Sequence, residues 1–394
     1  MFLKLRKLLP VAKGENHSIL QNQNLCWIGS NTGRNYGNLL KDHVRASVNY
    51  TAPFTADLTA VSKAELDDFM SSFPSIVHSL LERNGEKNTM IATKHFEQAV
   101  QYNIPHGKKI RGLIAVSAYK KLIGSNNFST KNKKWSIYSL QSVFLMADDM
   151  IDCSKIRRNK PCWHELDNVK SVAVNDAMMI ENALYVLLKK HFSHLPCYVD
   201  LFELLHETTM MTTIGQSMDF SLSREGVSQF KMDKHKCMTD HKTSHFAFYT
   251  PLAASMLLSG YNDQRAFQKI QSICYELGHF YQVQNDFLDC FSVSDVLKKP
   301  GSDIEEGKCT WMAVLTMKSG TQQQKQILEE CYGKNDEECV KRVKRIYDEL
   351  ALPDLYSQYE INTYNYIRKL IFDSDGDILQ NILLDSLNRT FNRT

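Results

Sequence analysis

From Lys63 to the carboxyl end, apolar residues recur at spacings of three and four, and little interrupts them. Runs such as RGLIAVSAYKKLIG, NDAMMIENALYVLLKKHF and FQKIQSICYELGHFYQVQNDFLDCF each lay one apolar face along a helix. No segment alternates apolar and polar residues as a half-buried strand does. Gly 17 and Pro 9 in 394 residues are roughly half the usual usage, which favours long helices over short strands and tight turns. The breakers fall between the runs, at Gly124-Ser125-Asn126-Asn127, His194-Leu195-Pro196, Gly260-Tyr261-Asn262, Lys299-Pro300-Gly301 and Ser319-Gly320. These patterns predict an all-α chain: a single large helical bundle over residues 62–394, opened by a capping box at Ser62–Glu65. There is no repeat of fixed period and no internal linker.

The composition removes several function classes. Apolar residues at 43% and charged residues at 23% allow a sizeable core, which argues against long-range disorder and fibrous repeats. Lys+Arg 47 against Asp+Glu 44 leaves a net charge of +3, with no basic field for nucleic acid. The ten cysteines form no CxxC pair, which removes zinc ribbons and thioredoxin-like motifs and predicts buried, reduced thiols of an intracellular protein. No stretch offers ~18 consecutive apolar residues, so no transmembrane segment is expected. Residues 1–61 read as a basic presequence-like segment and polar linker. Lys4, Arg6, Lys7 and Lys13 interleave with leucines, and no acid precedes Glu15. That composition points to mitochondrial targeting, with a disordered basic tail of a cytoplasmic protein as the alternative.

The chemistry is concentrated in SLQSVFLMADDMIDCSKIRRNKPCWH, residues 139–164. Asp148, Asp149 and Asp152 fall inside an apolar helix, with Asp148 and Asp152 on one face. Unpaired carboxylates there cost several kcal/mol and repel one another. A hard cation relieves both problems, and oxygen-only ligands suit magnesium. Alone, the pattern also fits an exposed helix end with solvated acids. A second cluster in HFYQVQNDFLDCF adds Asp286 and Asp289, with Asn285, in another apolar helix. Two such patches facing each other across a bundle make a metal-bridged site for a diphosphate. Cations surround them. Gly107-Lys108-Lys109-Ile110-Arg111-Gly112 stands at a helix start, Arg157 and Arg158 follow the first cluster, Lys242 precedes an aromatic run, and Lys308 follows the second.

These motifs, in this order, resemble the short-chain trans-isoprenyl diphosphate synthases, the family of farnesyl and geranyl diphosphate synthases, in its eukaryotic branch. DDMIDCSKIRRNKPCWH is similar to the family's first aspartate-rich motif and QVQNDFLDCF to its second. GKKIRG resembles its isopentenyl diphosphate pocket, GQSMDF its Gly-Gln-x-x-Asp element and HKTSHFAFYTP its Lys-Thr motif. KPGSDIEEGKCTW resembles its two-lysine loop. The likeness runs from about residue 63 to the end and implies an isoprenoid-synthase bundle with a central active-site cavity.

The resemblance also implies roles. Asp148, Asp149, Asp152 and Asp286, beside Asn285 and Asp289, would hold magnesium, three ions per site, on an allylic diphosphate. Lys242, Lys299, Lys308 and Arg157 would neutralise the departing pyrophosphate. Lys108, Arg111, Gln141 and Arg158 would bind isopentenyl diphosphate, with Gln216 also on the substrates. Thr243, Gln282 and Tyr281 would shield the allylic cation. The partners implied are small prenyl diphosphates and a second copy of the chain, as a homodimer.

Three departures bear on function. Asn285 stands where typical synthases carry Asp, which removes one negative charge. Val143 and Phe144 replace the paired aromatics that commonly floor the farnesyl product, leaving C10 or C15 open. The tail NRTFNRT lacks the family's usual basic ending. The expected function is a prenyl transferase making geranyl or farnesyl diphosphate. The alternatives are a terpene synthase, as in some insect relatives with an altered second motif, an enzyme doing both, or a non-catalytic subunit. The retained isopentenyl diphosphate set argues against a pure lyase, and the intact DDxxD against a non-catalytic role.

Overall fold

The computed structural model describes residues 90–391 except 108, 125–135, 292–300 and 375, together with scattered helical positions between 67 and 78. The chain parts into units Met1–Asp57 and Leu58–Thr394. The presequence reading, the capping box, Lys108 and Lys299 lie outside the described residues.

Among the described residues the fold is helical, as expected. It runs α1 Met90–Asn103, α2 Ile110–Ile123, α3 Ser136–Ile151, α4 Ala173–Phe192, α5 Tyr198–Glu225 and α6 Met232–Thr239. A π-helix at Asp240–Tyr249 then leads directly into α7 Thr250–Leu258, and α8 Gln264–Phe291 follows. The remainder is α9 Trp311–Ser319, α10 Gln322–Cys331, α11 Glu337–Glu349, α12 Leu352–Phe372 and α13 Asp377–Phe391. Start and stop chemistry is visible in several of these. Thr321 and Gln324 form a capping box on α10, Asp336 caps α11, and Pro251 sits in the first turn of α7. The Lys344 ammonium donates to Cys290 O at 2.7 Å, satisfying a carbonyl in the last turn of α8.

Among the described residues the strands are those of a two-residue hairpin, Ile156–Arg157 against Lys160–Pro161, in register Ile156↔Pro161. Its turn residues Arg158 and Asn159 both take positive φ, 57° and 61°, the mark of a primed turn matched to strand twist. The hairpin is pinned from two sides. Tyr102 on α1 donates to Pro161 O at 2.8 Å. Just beyond, the Trp163 indole donates to the fully buried Asp176 on α4 at 2.9 Å, and His95 Nε2 lies 2.9 Å from the same carboxylate.

The segment Lys170–Phe192, which contains α4, is long and apolar enough to cross a membrane by length and composition. Its Ile180, Leu184, Leu187 and Leu188 are nevertheless packed in the protein core, so it is a core helix with an outward apolar edge. Of the described cysteines, Cys162, Cys274, Cys290, Cys309 and Cys331 are buried, and none is paired in a disulfide.

The π-helix lies between α5 and α8 at unusually short range. A Cβ on Gly215 of α5 would stand 2.1 Å from Lys242 N, and one on Gly278 of α8 would stand 2.3 Å from Ser244 Cα. Only glycine allows either approach. The two contacts fix the depth of the π-helix, and with it the position of Lys242. Gly278→Ala is expected to destabilise the protein by about 1–3 kcal/mol, the cost of overpacking a tight interface. A calorimetric melting temperature equal to that of the parent would contradict this packing.

Candidate active site

Asp148 and Asp149 end α3, and Asp152 follows it with its N–H still bonded to Asp148 O at 2.9 Å, so the helical register reaches all three. Each carboxylate meets a cation from another element. The Arg157 guanidinium, aimed by the hairpin, donates to Asp149 and to Asp148, the latter at 3.0 Å. The Lys242 ammonium, on the π-helix, donates to Asp148 at 3.0 Å. The Lys308 ammonium, on the loop before α9, donates to Asp152 at 2.6 Å. Both lysines also reach one oxygen of Asp219 on α5, at 2.7 and 3.0 Å.

The electrostatics follow from this geometry. Burial works to raise the Asp148 carboxyl, but Lys242, Arg157 and Lys308 outweigh it and hold it well below the ordinary range. Burial likewise opposes Asp219, and the same two lysines overcome it. At Asp149 burial wins over Arg157 and the carboxyl is raised. Asp152 is pushed up to about 6, first by burial and then by the charge of Asp148. The lysines respond in kind. Burial disfavours both ammonium groups, yet the facing carboxylates raise them, so they remain charged. Asp219 was not among the expected site residues. Its signal lay in GQSMDF, where an acid three residues after Gln216 shares a helix face with it.

The acids of the second motif are bonded within the protein. Asp286 is 2% exposed, and its carboxylate is taken up by protein donors. Gln282 Nε2 donates to it at 2.9 Å, the Trp311 backbone N–H at 2.9 Å, and His235 Nε2 lies 2.9 Å away. It joins α6, α8 and α9 rather than offering free oxygens beside Asp148. Buried Asp289 accepts from Asp303 N–H at 2.9 Å. Half-buried Asn285 makes no side-chain hydrogen bond among the described residues. Gln282 also accepts from the Thr243 hydroxyl at 2.9 Å, so Thr243, Gln282 and Asp286 form one chain of hydrogen bonds. Tyr281 packs edge-on to Phe248, 5.8 Å between ring centres.

Behind the first motif lies a cationic corner. Gly107, at φ 99°, lies directly over Arg158, where a Cβ would stand 2.7 Å from the guanidinium. The buried Lys109 ammonium donates to Ile104 O and His106 O at 3.0 and 2.9 Å and holds that loop closed. Burial, with Arg158 adding to it, pushes Lys109 down to about 6. His106, Arg158, Lys160, Ser142 and Asp149 line a cavity of about 40 Å³. Arg111 stands over the Phe246 ring at 4.7 Å, and Phe246 meets Phe144 edge-on at 4.8 Å. Val143 packs into a separate core cluster, away from that pair. Gln141 Oε1 and Gln216 Nε2 are buried without a partner among the described residues, two polar atoms that a ligand would satisfy.

Magnesium fits this donor set in its chemistry. The first motif offers only oxygen, and burial raises Asp149 and Asp152 in a way that a divalent cation would reverse. Among the described residues no three His, Cys, Asp or Glu side chains converge closely enough to hold a metal as they stand. The lysines and Arg157 occupy those carboxylates, so a metal would enter by exchange with them.

Comparison with known proteins agrees with the motifs. The family model described as polyprenyl synthetase matches residues 93–350. A farnesyl pyrophosphate synthase of Kluyveromyces lactis is 36% identical over 340 residues, covering 82% of this chain and 97% of that protein. One of Murgantia histrionica is 34% identical over 342 residues, covering 84% and 83% respectively. One of Schizosaccharomyces pombe is 37% identical over 311 residues, covering 76% and 90%. The chain belongs to the polyprenyl synthetase family, as a short-chain trans-isoprenyl diphosphate synthase.

Proposed function

We propose that this chain condenses isopentenyl diphosphate with dimethylallyl and then geranyl diphosphate, releasing farnesyl diphosphate and pyrophosphate. The observation that carries the reading is the convergence of Lys242, Lys308 and Arg157 on Asp148, Asp149, Asp152 and Asp219. Positive groups held this way by buried acids are ready to transfer to a polyanion. The name carried by the relatives supports the C15 product. Asn285 alone raised the lyase reading, and nothing in the fold or the relatives adds to it.

Magnesium, bound at Asp148, Asp149 and Asp152, would supply Lewis-acid neutralisation of the allylic diphosphate. The chain's own groups do the rest. Lys242, Lys308 and Arg157 hydrogen-bond the leaving pyrophosphate as its C–O bond breaks, where their charge counts most in a water-poor cleft. Arg111, Arg158 and Gln141, with Lys108, hold isopentenyl diphosphate, and Gln216 adds a buried amide. Thr243 and Gln282, locked to Asp286, present dipoles beside the allylic carbon, with Tyr281 as the aromatic wall. The isopentenyl double bond attacks that carbon and a proton leaves, with pyrophosphate as the base. Phe144, braced by Phe246, closes the end of the tail pocket and stops growth.

A homodimer accounts for a surface feature that the sequence did not signal. Val174 and Met178 on α4, with Val199, Phe202, Met210 and Ile214 on α5, are exposed and recur at helical spacing along one face. We assign this face to a second copy of the chain. The double change Met210→Glu and Ile214→Glu is expected to convert the dimer to monomer in sedimentation; an unchanged mass would remove the assignment.

Two assays test the chemistry. Full-length protein with magnesium and dimethylallyl diphosphate should yield C10 and C15 diphosphates only when isopentenyl diphosphate is added. Volatile hydrocarbon from an allylic substrate alone would sink the transferase reading. Asp149→Ala is expected to lower turnover by roughly 100-fold, as loss of a metal ligand or its support does. Near-parental turnover would show that Asp149 is not part of the metal set.

A further inference from the structure

Lys308 enters the cleft from a loop, and a loop aims a long side chain only where its backbone is held. The stretch from Gly301 to Thr310 is held from behind by the turn that ends α10. The Tyr332 hydroxyl donates to Lys308 O at 2.8 Å and lies 3.2 Å from Thr310 Oγ1. Lys308 O also accepts from Thr310 N–H at 2.9 Å, so the carbonyl is fixed from two directions. One residue further, Gly333 N–H donates to Ile304 O at 2.8 Å. A Cβ on Gly307 would stand 3.2 Å from Gly333 Cα, so the two backbones are in contact. Burial raises the Tyr332 hydroxyl well above its ordinary value, and it stays a donor throughout the neutral range. The Tyr332 ring sits edge-on to Phe230, 6.1 Å between centres, an anchor independent of the hydroxyl.

We propose that Tyr332 is a positioning residue for leaving-group departure. Its hydroxyl fixes the Lys308 carbonyl, and thereby fixes where the Lys308 ammonium stands when a pyrophosphate competes with Asp152 and Asp219 for it. A lysine stem has four rotatable bonds, and its carboxylate contacts weaken once a polyanion draws on the same charge. The clamped peptide then sets the ammonium's reach. The inference rests on the condensation reading and adds to it a residue that touches no substrate.

The test is a cycle of wild type, Tyr332→Phe, Lys308→Ala and the double variant, using full-length protein. Calorimetric affinity for inorganic pyrophosphate with magnesium is measured beside kcat and KM. Tyr332→Phe keeps the ring, so the melting temperature should hold. Pyrophosphate affinity and kcat should each fall roughly 10-fold, the loss of a misplaced rather than a missing group, with KM for isopentenyl diphosphate unchanged. In the Lys308→Ala background the same change should cost less than about 2-fold. Full pyrophosphate affinity in Tyr332→Phe would overturn the proposal, as would an equal loss in both backgrounds. The condensation reading fails separately, if wild type binds pyrophosphate but joins no substrates, because the affinity arm needs no turnover.

Discussion

Charge compensation across the cleft is the constraint to which the rest of the structure answers. Asp148, Asp149, Asp152 and Asp219 are buried or nearly so, and such carboxylates stay ionised only if cations reach them. No single helix can supply both signs at that density. The cations therefore come from a hairpin, a π-helix and a loop, each needing its own support. The hairpin is pinned by Tyr102 and by the Trp163–Asp176–His95 cluster. The π-helix is seated by Gly215 and Gly278, and the loop is held by Tyr332 and Gly333. Each support is a hydrogen bond from a neighbouring element or a close backbone contact, so the aiming is built into the scaffold.

The compensation also has a direction. Asp148 and Asp219 are strongly stabilised as anions, while Asp149 and Asp152 are raised by burial. The site is thus unevenly balanced before any ligand arrives. A divalent cation would favour the raised pair, and that exchange would free ammonium and guanidinium groups for an incoming diphosphate. Ground-state pairing of this kind makes the cations available without leaving them solvated, which lowers the reorganisation needed at the moment of bond cleavage.

Much of this was legible in the sequence. Apolar periodicity and scarce breakers marked the bundle, and the acids inside apolar runs marked the first motif. Lys242, Lys308 and Arg157, which the ordered motifs also carried, bond to its carboxylates. What escaped was tertiary in origin. The hairpin is two residues per strand, too short for a period-2 signal, and rests on positive φ at Arg158 and Asn159. The π-helix departs from a 3.6 repeat only locally, so periodicity does not mark it. Asp219 stood in GQSMDF without a role of its own, because its value depends on two lysines that approach from distant segments. The apolar stripe on α5 was masked because that helix is also buried on its other side, as Leu201, Leu204 and Leu205 show.

The second motif shows how one acidic pattern can divide its work. Asp286 bonds to Gln282, Trp311 N–H and His235 and so joins three helices. Asn285, one residue earlier, points about 100° away around the helix and takes no part in that junction. Exchanging Asp for Asn at that position therefore removes negative charge without touching the scaffold. The change is purely electrostatic: fewer anions on the α8 side, and a larger share of any cation's binding carried by α3. With Asp286 and Asp289 already bonded within the protein, the carboxyls of Asp149 and Asp152 would carry more of a bound metal's charge. Arg157 and Lys308, bonded to those carboxylates, would have to give way for a metal to enter.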